Sequence, residues 1–357
     1  MKIGVDVQST VGEKTGIGVY TRCLLDTLRS IDNKNTYIEY KNPQWKELNI
    51  AKRLAWENLS VPKHVFNTRP DLLFVPGFAP PIIKPCRTIA VLHDLIGVLF
   101  PQNLGFFSRM YWSLWLPFCV KNADFIICDS ESTRKDCINI MKVREDKVKV
   151  IYLAGFSGAH SMQSANESAI MKKYGIKGKY ALSLSTIEPR KNFPRLVEAW
   201  RRIKDTCKDK LYLVIVGRKG WGWPSLEEKI KSLHMEDDVI IAGYADEEEK
   251  NVFYKNCEFF IFPSLYEGFG LPVLEAMTFK KAVISSNNSS LPEITGDTAL
   301  FIDPYNADNI ADAVVRLIND KNLREDLALK GFERSRIFSW EKSARDFMEI
   351  FEIIDKS

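Results

Sequence analysis

The chain has 357 residues, 45% hydrophobic and 27% charged, with a formal net charge of +4. That length favours two domains over one, and a composition without low-complexity tracts excludes disordered and fibrous classes. The basic density is far below that of a nucleic-acid binder, so no nucleic-acid partner is expected. Charge is uneven: residues 1–150 hold 21 Lys and Arg against 15 Asp and Glu, and the remainder holds 29 against 31. A mildly basic first half suits an anionic substrate or anionic lipid, with a solvated face as the default explanation. Seven cysteines are scattered with no C-x-x-C pair, which points to reduced thiols in a cytoplasm and away from a zinc site.

In chain order, Lys2–Val7 reads as a first strand and enters it with no signal-peptide core. Val11–Gly18 is a glycine-bearing loop, and Tyr20, Leu24, Leu28 and Ile31 have helical spacing. Gly16 and Gly18 fall at that helix start, although the spacing is not the G-x-G-x-x-G fingerprint. Residues 46–68 read as helix, Leu72–Val75 as a strand, and Pro76, Pro80, Pro81 and Pro85 mark a loop. Thr88–Leu92 is a strand ending in His93-Asp94, where ligands gather in parallel α/β sheets, although Asp94 could simply cap a turn. His64, His160 and His234 have no such setting and read as structural or surface residues. Phe106–Val120 is interrupted by Arg109 and Pro117; it reads as a core helix, with an interfacial membrane contact left open. Phe125–Cys128 and Lys147–Leu153 are strands, Ser130–Thr133 opens a helix, and Ala154–Glu167 reads as the interdomain linker.

The alternation then restarts. Strands are expected at 180–185, 211–216, 238–242, 258–262, 282–285 and 299–302. Helices are expected at 192–206, 225–234, 246–256, 271–280 and 306–319, then at 322–336 and 340–355. Two runs of alternating β and α predict an α/β chain of two doubly wound, Rossmann-like domains facing each other across a cleft, the default ligand site.

The densest stretch is Pro263–Met277, PSLYEGFGLPVLEAM. A buried strand, Phe259–Phe262, leads into Gly268, Phe269 and Gly270, then into a helix start at Leu271 and Pro272. The first N–H groups of a helix lack internal partners, so this is a candidate anion site, flanked by the carboxylates Glu267 and Glu275. Ser185–Asn192 follows another strand and carries Arg190 and Lys191, a planar fork and a point charge suited to a diphosphate. Gly217-Arg218-Lys219-Gly220 and Gly243-Tyr244-Ala245 end two more strands and could frame a nucleotide base. No D-x-D occurs, so the diphosphate is expected to be held by cations and helix amides, with no metal or other cofactor.

On these residues the chain resembles the retaining family-four glycosyltransferases of the GT-B fold. The stretch 263–277, with its two glutamates, is the most specific part of the resemblance; Ile187–Asn192, Gly217–Trp221, Leu291-Pro292-Glu293 and Phe338-Ser339-Trp340-Glu341 follow in the family's order. The variety it is most similar to is the bacterial mannosyltransferases that build surface polysaccharides from GDP-mannose. The resemblance implies that Glu267 contacts donor sugar hydroxyls and Glu275 the ribose. It implies that Arg190, Lys191 and the Gly270 and Leu271 amides hold the diphosphate. His93 would face the sugar, Gly16 and Gly18 would line the phosphate and acceptor side, and the helix from Trp340 would return to the first domain. The implied domains are 1–160 with helix 340–357, and 161–339. Two departures stand out: Lys280-Lys281-Ala282 replaces the usual Gly and Pro after the signature helix, and Leu153-Ala154-Gly155 replaces Pro-Asn-Gly.

The implied reaction is retaining hexosyl transfer, with mannose from GDP-mannose, onto a saccharide or lipid-linked saccharide. The implied location is cytoplasmic, with peripheral contact at an anionic inner membrane face. A UDP-sugar-dependent transferase, a GT-B isomerase or phosphorylase, and a non-catalytic sugar-nucleotide-binding subunit are the competing readings.

Overall fold

The computed structural model describes residues 1–12, 16–77, 79–155, 167–204 and 210–356. His160, Cys207 and most of the expected linker lie outside them. The chain divides into two compact units, Met1–Leu153 with Phe338–Ser357, and Ala154–Ile337.

The first unit holds strands β1 (Lys2–Asp6), β2 (Thr36–Tyr40), β3 (Leu72–Val75), β4 (Arg87–Leu92), β5 (Phe125–Cys128) and β6 (Val148–Val150). They form one sheet in the order β2-β1-β3-β4-β5-β6, every pair parallel. Strand β2 was absent from the sequence reading. It is a five-residue edge strand whose Glu39 faces Arg22 and Arg29, so it lacks the apolar run of its neighbours. The helix expected over 46–68 begins later, at Ile50, where the Asn49 side chain caps it by accepting from the Lys52 N–H.

That helical region passes through a π turn at Trp56–Ser60 before continuing as Val61–Thr68. Phe106–Met110 likewise passes through a π turn at Tyr111–Trp115 into Leu116–Asn122. Each π turn contains the residue four before a proline, Asn58 before Pro62 and Ser113 before Pro117. Proline in a helix lacks an N–H and collides with the carbonyl four residues back; a wider turn accommodates both defects without ending the helix.

The second unit holds β7 (Tyr180–Leu184), β8 (Tyr212–Val216), β9 (Val239–Gly243), β10 (Phe259–Phe262), β11 (Val283–Ser286) and β12 (Ala299–Ile302). Their order is β12-β11-β10-β7-β8-β9, again all parallel. Strand β10 shows why the chain reads as a continuous apolar run. Phe259 and Ile261 enter the core on one face of the sheet, and Phe260 and Phe262 enter the core on the other.

In both sheets the strand order reverses once, between β1 and β3 and between β7 and β10. The carboxyl ends of strands at such a reversal form the crevice where α/β sheets bind ligands.

Candidate functional site

The reversal in the second sheet places two loops side by side. One follows β7 and ends in a short 3-10 turn at Pro189–Lys191; the other follows β10 and runs to the helix Leu271–Thr278. The backbone ties them, with the Leu265 N–H donating to the Arg190 carbonyl at 2.7 Å. Asn192, left-handed at φ 62°, donates through Nδ2 to the carbonyls of Pro263 and Pro304 at 3.1 and 2.7 Å.

Arg190, Lys191 and Glu267 meet at this junction. Lys191 Nζ lies 2.5 Å from Glu267 Oε1, and Arg190 Nη1 lies 3.0 Å from Glu267 Oε2. Ser264 Oγ donates to Glu267 Oε1 at 2.6 Å, and Arg190 Nε donates to Glu188 Oε2 at 2.9 Å. Lys191 and Glu267 are buried. Burial alone would push the Glu267 carboxyl up, but Lys191 and Arg190 together outweigh it and hold it below the usual range. Burial lowers the Lys191 ammonium, against the pull of Glu267 and with the help of Arg190. Two cationic side chains and two carboxylates therefore form one set at this junction, with Lys191 and Glu267 buried and Arg190 and Glu188 half-buried.

Glu275 lies seven residues on and has different partners. It is buried in the helix Leu271–Thr278 and accepts from the Tyr254 hydroxyl at 2.8 Å. Burial raises its carboxyl, opposed by Lys250 and by Tyr254. The two glutamates that look alike in the sequence thus differ in charge preference.

The glycines divide as well. Gly270, at φ 115°, sits immediately before the helix, and a Cβ there would lie 2.8 Å from Leu291 Cδ2. Gly268 and Phe269 are buried, and Leu271 is the first helical residue. Gly217 is a spacer: a Cβ there would lie 1.8 Å from the Ser185 carbonyl oxygen, so it lets the loops after β7 and β8 close on each other. Tyr244, 60% exposed, has the Arg218 guanidinium 4.7 Å above its ring.

Sequence reasoning missed the segment after β11. Ser289 Oγ accepts from the Glu267 N–H at 3.0 Å; Ser290 Oγ donates to the carbonyls of Glu267 and Phe269 at 3.0 and 2.6 Å. Asn288 Nδ2 donates to the Leu265 carbonyl at 3.0 Å. The run Asn287–Ser290 between a strand and Leu291-Pro292-Glu293 was the available signal.

In the first unit, His93 opens the loop after β4. Its Nδ1 lies 2.6 Å from Asp129 Oδ2 and its Nε2 lies 2.8 Å from the Pro76 carbonyl oxygen. A carbonyl can only accept, so Nε2 donates to Pro76, and the Asp129 carboxyl at Nδ1 favours the protonated ring. Burial works against that charge, but Asp129 outweighs it and raises the imidazole above its ordinary value. Tyr20 meets the ring edge-on at 4.8 Å, and Trp340 lies 5.8 Å from Tyr20. Asp129, Tyr20 and Trp340 escaped the sequence reading as His93's neighbours. Gly16 is exposed and Gly18 buried at the start of the helix Gly16–Ile31. Asp94 caps a turn by accepting from the Ile96 N–H at 2.9 Å.

Two further buried carboxyls stand at the carboxyl end of β1. Asp6 accepts from Trp56 Nε1 at 3.0 Å, and burial raises it to about 6. Glu57, in the first π turn, accepts from the Tyr111 hydroxyl at 2.5 Å, and burial raises it to about 8. Among the described residues no three His, Cys, Asp or Glu side chains form a metal-binding group.

Two parallel sheets, each with its loops gathered at one reversal of strand order, define a doubly wound α/β protein, and comparison with known proteins gives the class. The family model described as Glycosyltransferase Family 4 matches residues 23–154, and that described as Glycosyl transferases group 1 matches residues 166–334. Together they take in most of both sheets: the chain belongs to the family-four, GT-B glycosyltransferases, a retaining family.

The O-antigen chain mannosyltransferase B of Escherichia coli is 28% identical over 269 residues, covering 75% of this chain and 71% of that protein. The serotype-specific mannosyltransferase WbdA of E. coli is 29% identical over 308 residues, 80% of this chain but only 37% of WbdA, so the chain spans little more than a third of that relative. The Campylobacter jejuni N-acetylgalactosamine-N,N'-diacetylbacillosaminyl-diphospho-undecaprenol 4-alpha-N-acetylgalactosaminyltransferase is 26% identical over 271 residues, 75% of this chain and 68% of that enzyme. Among solved structures, Anabaena HepE in complex with UDP-glucose shares the fold at a TM-score of 0.75, over 99% of each chain and at 18% identity.

Proposed function

We propose that the protein transfers mannose from GDP-mannose, with retention, to a saccharide or lipid-linked saccharide during surface polysaccharide synthesis. The observation that carries the donor side is the Arg190–Lys191–Glu267 set, with Lys191 and Glu267 buried and Arg190 half-buried, in the loops that lead to the Gly270–Leu271 helix start. Mannose is favoured by the names of the E. coli relatives, and a lipid-linked acceptor by that of the C. jejuni relative.

In this reading the diphosphate draws Arg190 and Lys191 from Glu267, which is then released toward the sugar hydroxyls. Glu275 serves the ribose, Gly217 and Tyr244 border the base, and His93 with Gly16 and Gly18 serves the sugar and acceptor side. Double displacement needs a carboxylate oxygen free to attack the anomeric carbon. The role the resemblance gives Glu267 is recognition of the sugar hydroxyls and not attack, which favours same-face substitution. The acceptor oxygen bonds to the anomeric carbon as the carbon–phosphate oxygen bond breaks, and the acceptor proton passes to the departing diphosphate. Arg190 and Lys191 stabilise the charge that develops there.

The test is incubation with radiolabelled GDP-mannose, GDP-fucose, UDP-glucose and UDP-N-acetylglucosamine against a panel of mannosides and lipid-linked saccharides. Label from GDP-mannose should enter an α-linked product. Label entering only from a UDP sugar would replace the donor assignment, and free sugar phosphate or epimer without elongation would remove the transferase reading.

A further inference from the structure

A cavity of about 320 Å³ opens between the loop after β7 and the starts of the helices Phe193–Ile203 and Trp223–Ser232. That volume is at the lower end of what small-molecule sites occupy. The cavity lies wholly within the second unit and shares the Pro189–Lys191 turn with the donor set. Glu188 and Pro189 line it, whereas Arg190 and Lys191 turn to Glu267.

Trp221 forms one wall and is 54% exposed. The backbone that carries this indole is stitched to the neighbouring loop. The Ile187 N–H donates to the Arg218 carbonyl at 2.9 Å, and the Gly222 N–H donates to the Ile187 carbonyl at 3.1 Å. A Cβ on Gly220 would lie 2.7 Å from the Ile187 carbonyl oxygen, and one on Gly222 would lie 2.8 Å from the Glu188 carbonyl carbon. Glycine on both sides of Trp221 thus lets the loop after β8 press onto the loop after β7. The ring is presented to solvent on a fixed support, which lowers the entropy cost of using it as an apolar plate.

The charged groups around the plate balance. Arg195 and Lys229 stand against Glu188 and Glu198. Lys229 Nζ donates to Glu198 Oε1 at 2.5 Å, and Glu188 Oε2 accepts from Arg190 Nε at 2.9 Å. Each carboxylate has a second oxygen with which to accept from a ligand. Balanced charge gives an anion no advantage, and a wholly apolar ligand would strand these groups without hydrogen bonds. A hydroxyl both donates and accepts, so vicinal hydroxyls match a carboxylate beside an ammonium. A pyranose carries such hydroxyls at its rim and a C–H face that packs on an indole.

We infer that this cavity is a binding site for a neutral saccharide, stacked on Trp221 and hydrogen-bonded by Glu188, Glu198 and Lys229. It rests on the proposed reading only for the choice of sugar, a mannose chain. Glu188 links it to the donor set, because its partner Arg190 also holds Glu267.

The full chain is titrated with mannotetraose, maltotetraose, guanosine and inorganic phosphate while the indole N–H signals of its eight tryptophans are followed by NMR. The Trp221 signal, assigned by its loss in Trp221→Phe, should move saturably with mannotetraose. Calorimetric titration should show mannotetraose affinity lowered about tenfold or more in Trp221→Ala, at unchanged circular dichroism, and clearly less in Trp221→Phe, which keeps an aromatic face. A Trp221 signal unmoved by either tetrasaccharide would overturn the inference, and this titration stands whether or not Trp221→Ala folds. So would a stronger response to guanosine or phosphate, or wild-type affinity in a folded Trp221→Ala. A response to maltotetraose alone would uphold the saccharide site and count against the mannose chain. Label entering product from GDP-mannose with Trp221 silent would do the reverse, leaving the transferase reading and removing the site.

Discussion

Glu267 stands between two cations in a buried site, so the consequences of removing each partner are unequal. Glu267→Gln leaves Lys191 and Arg190 crowded with one fewer negative neighbour. Removing one partner of a buried pair destabilises by about 3–5 kcal/mol. Lys191→Met leaves Glu267 with Arg190, so the loss of stability should be clearly smaller than in Glu267→Gln, whereas turnover should fall by about 10²–10³. Urea denaturation and steady-state kinetics on both variants separate these effects; equal stability losses would contradict the shared-carboxylate arrangement. His93 supplies the second residue-level expectation. Its raised value means a contribution that is fully present below the unfolded imidazole value of about 6.5 and lost as pH rises through the folded one. In Asp129→Asn the burial that opposes the charge is no longer outweighed, so the imidazole should titrate below the wild-type value, as read by NMR of the His93 ring. An unchanged titration would remove Asp129 as its cause.

At the scale of elements, the strands were legible wherever an apolar run marks them, including the partly exposed β9 and β12, and the charged edge strand β2 was not. Phe259–Phe262 could hardly be read otherwise, while Thr36–Tyr40 carries charge at a sheet edge and gives no such run. Helix starts were legible through Gly270 and Pro272, because those residue types suit that backbone. The π turns were not, since the sequence shows only prolines in helical spacing and not how the chain absorbs them. The same limit hid Asp129, Ser289 and Ser290: partners of His93 and Glu267 are set by which strands lie side by side, a property of tertiary order. One π turn offers a test. Glu57 favours its neutral form up to about 8, so folding takes up a proton and stability falls as pH rises from the unfolded carboxyl value of about 4.3 toward 8. Glu57→Gln keeps the oxygen that accepts from Tyr111 and does not ionise. Its melting temperature should fall less than that of wild type between those limits, with a slope from Asp6 remaining up to about 6. Parallel pH profiles of the two proteins would place the charge elsewhere. At the other site, Gly270→Ala imposes a left-handed alanine against Leu291 and should lower stability by about 1–3 kcal/mol and weaken nucleotide-diphosphate binding with it.

The molecule as a whole builds its first unit from both ends of the chain. The helix Trp340–Lys356 places Phe347 5.1 Å and Phe351 6.2 Å from Phe74, ring centre to ring centre, and Ser343 Oγ donates to the Tyr152 carbonyl at 2.6 Å. Lys34 and Glu352 pair at 2.7 Å at its far end. Phe347 and Phe351 are fully buried. Losing one buried Phe commonly removes about 3–5 kcal/mol, against about 5–15 kcal/mol for a whole domain. A chain ended at Ile337 should therefore keep the second unit and lose the first. Calorimetry should show the transition assigned to residues 154–337 near its place in the full chain, still raised by nucleotide diphosphate, because Arg190, Lys191, Glu267 and Gly270 all lie inside it. The first-unit transition should disappear, and glycosyl transfer with it, since His93 and its neighbours would no longer be held. If the shortened chain kept both transitions, the last helix would be an attachment to the first unit and not part of its core. If it lost both, the two units would not be separable in stability, and donor binding would depend on residues well beyond the β7–β10 junction.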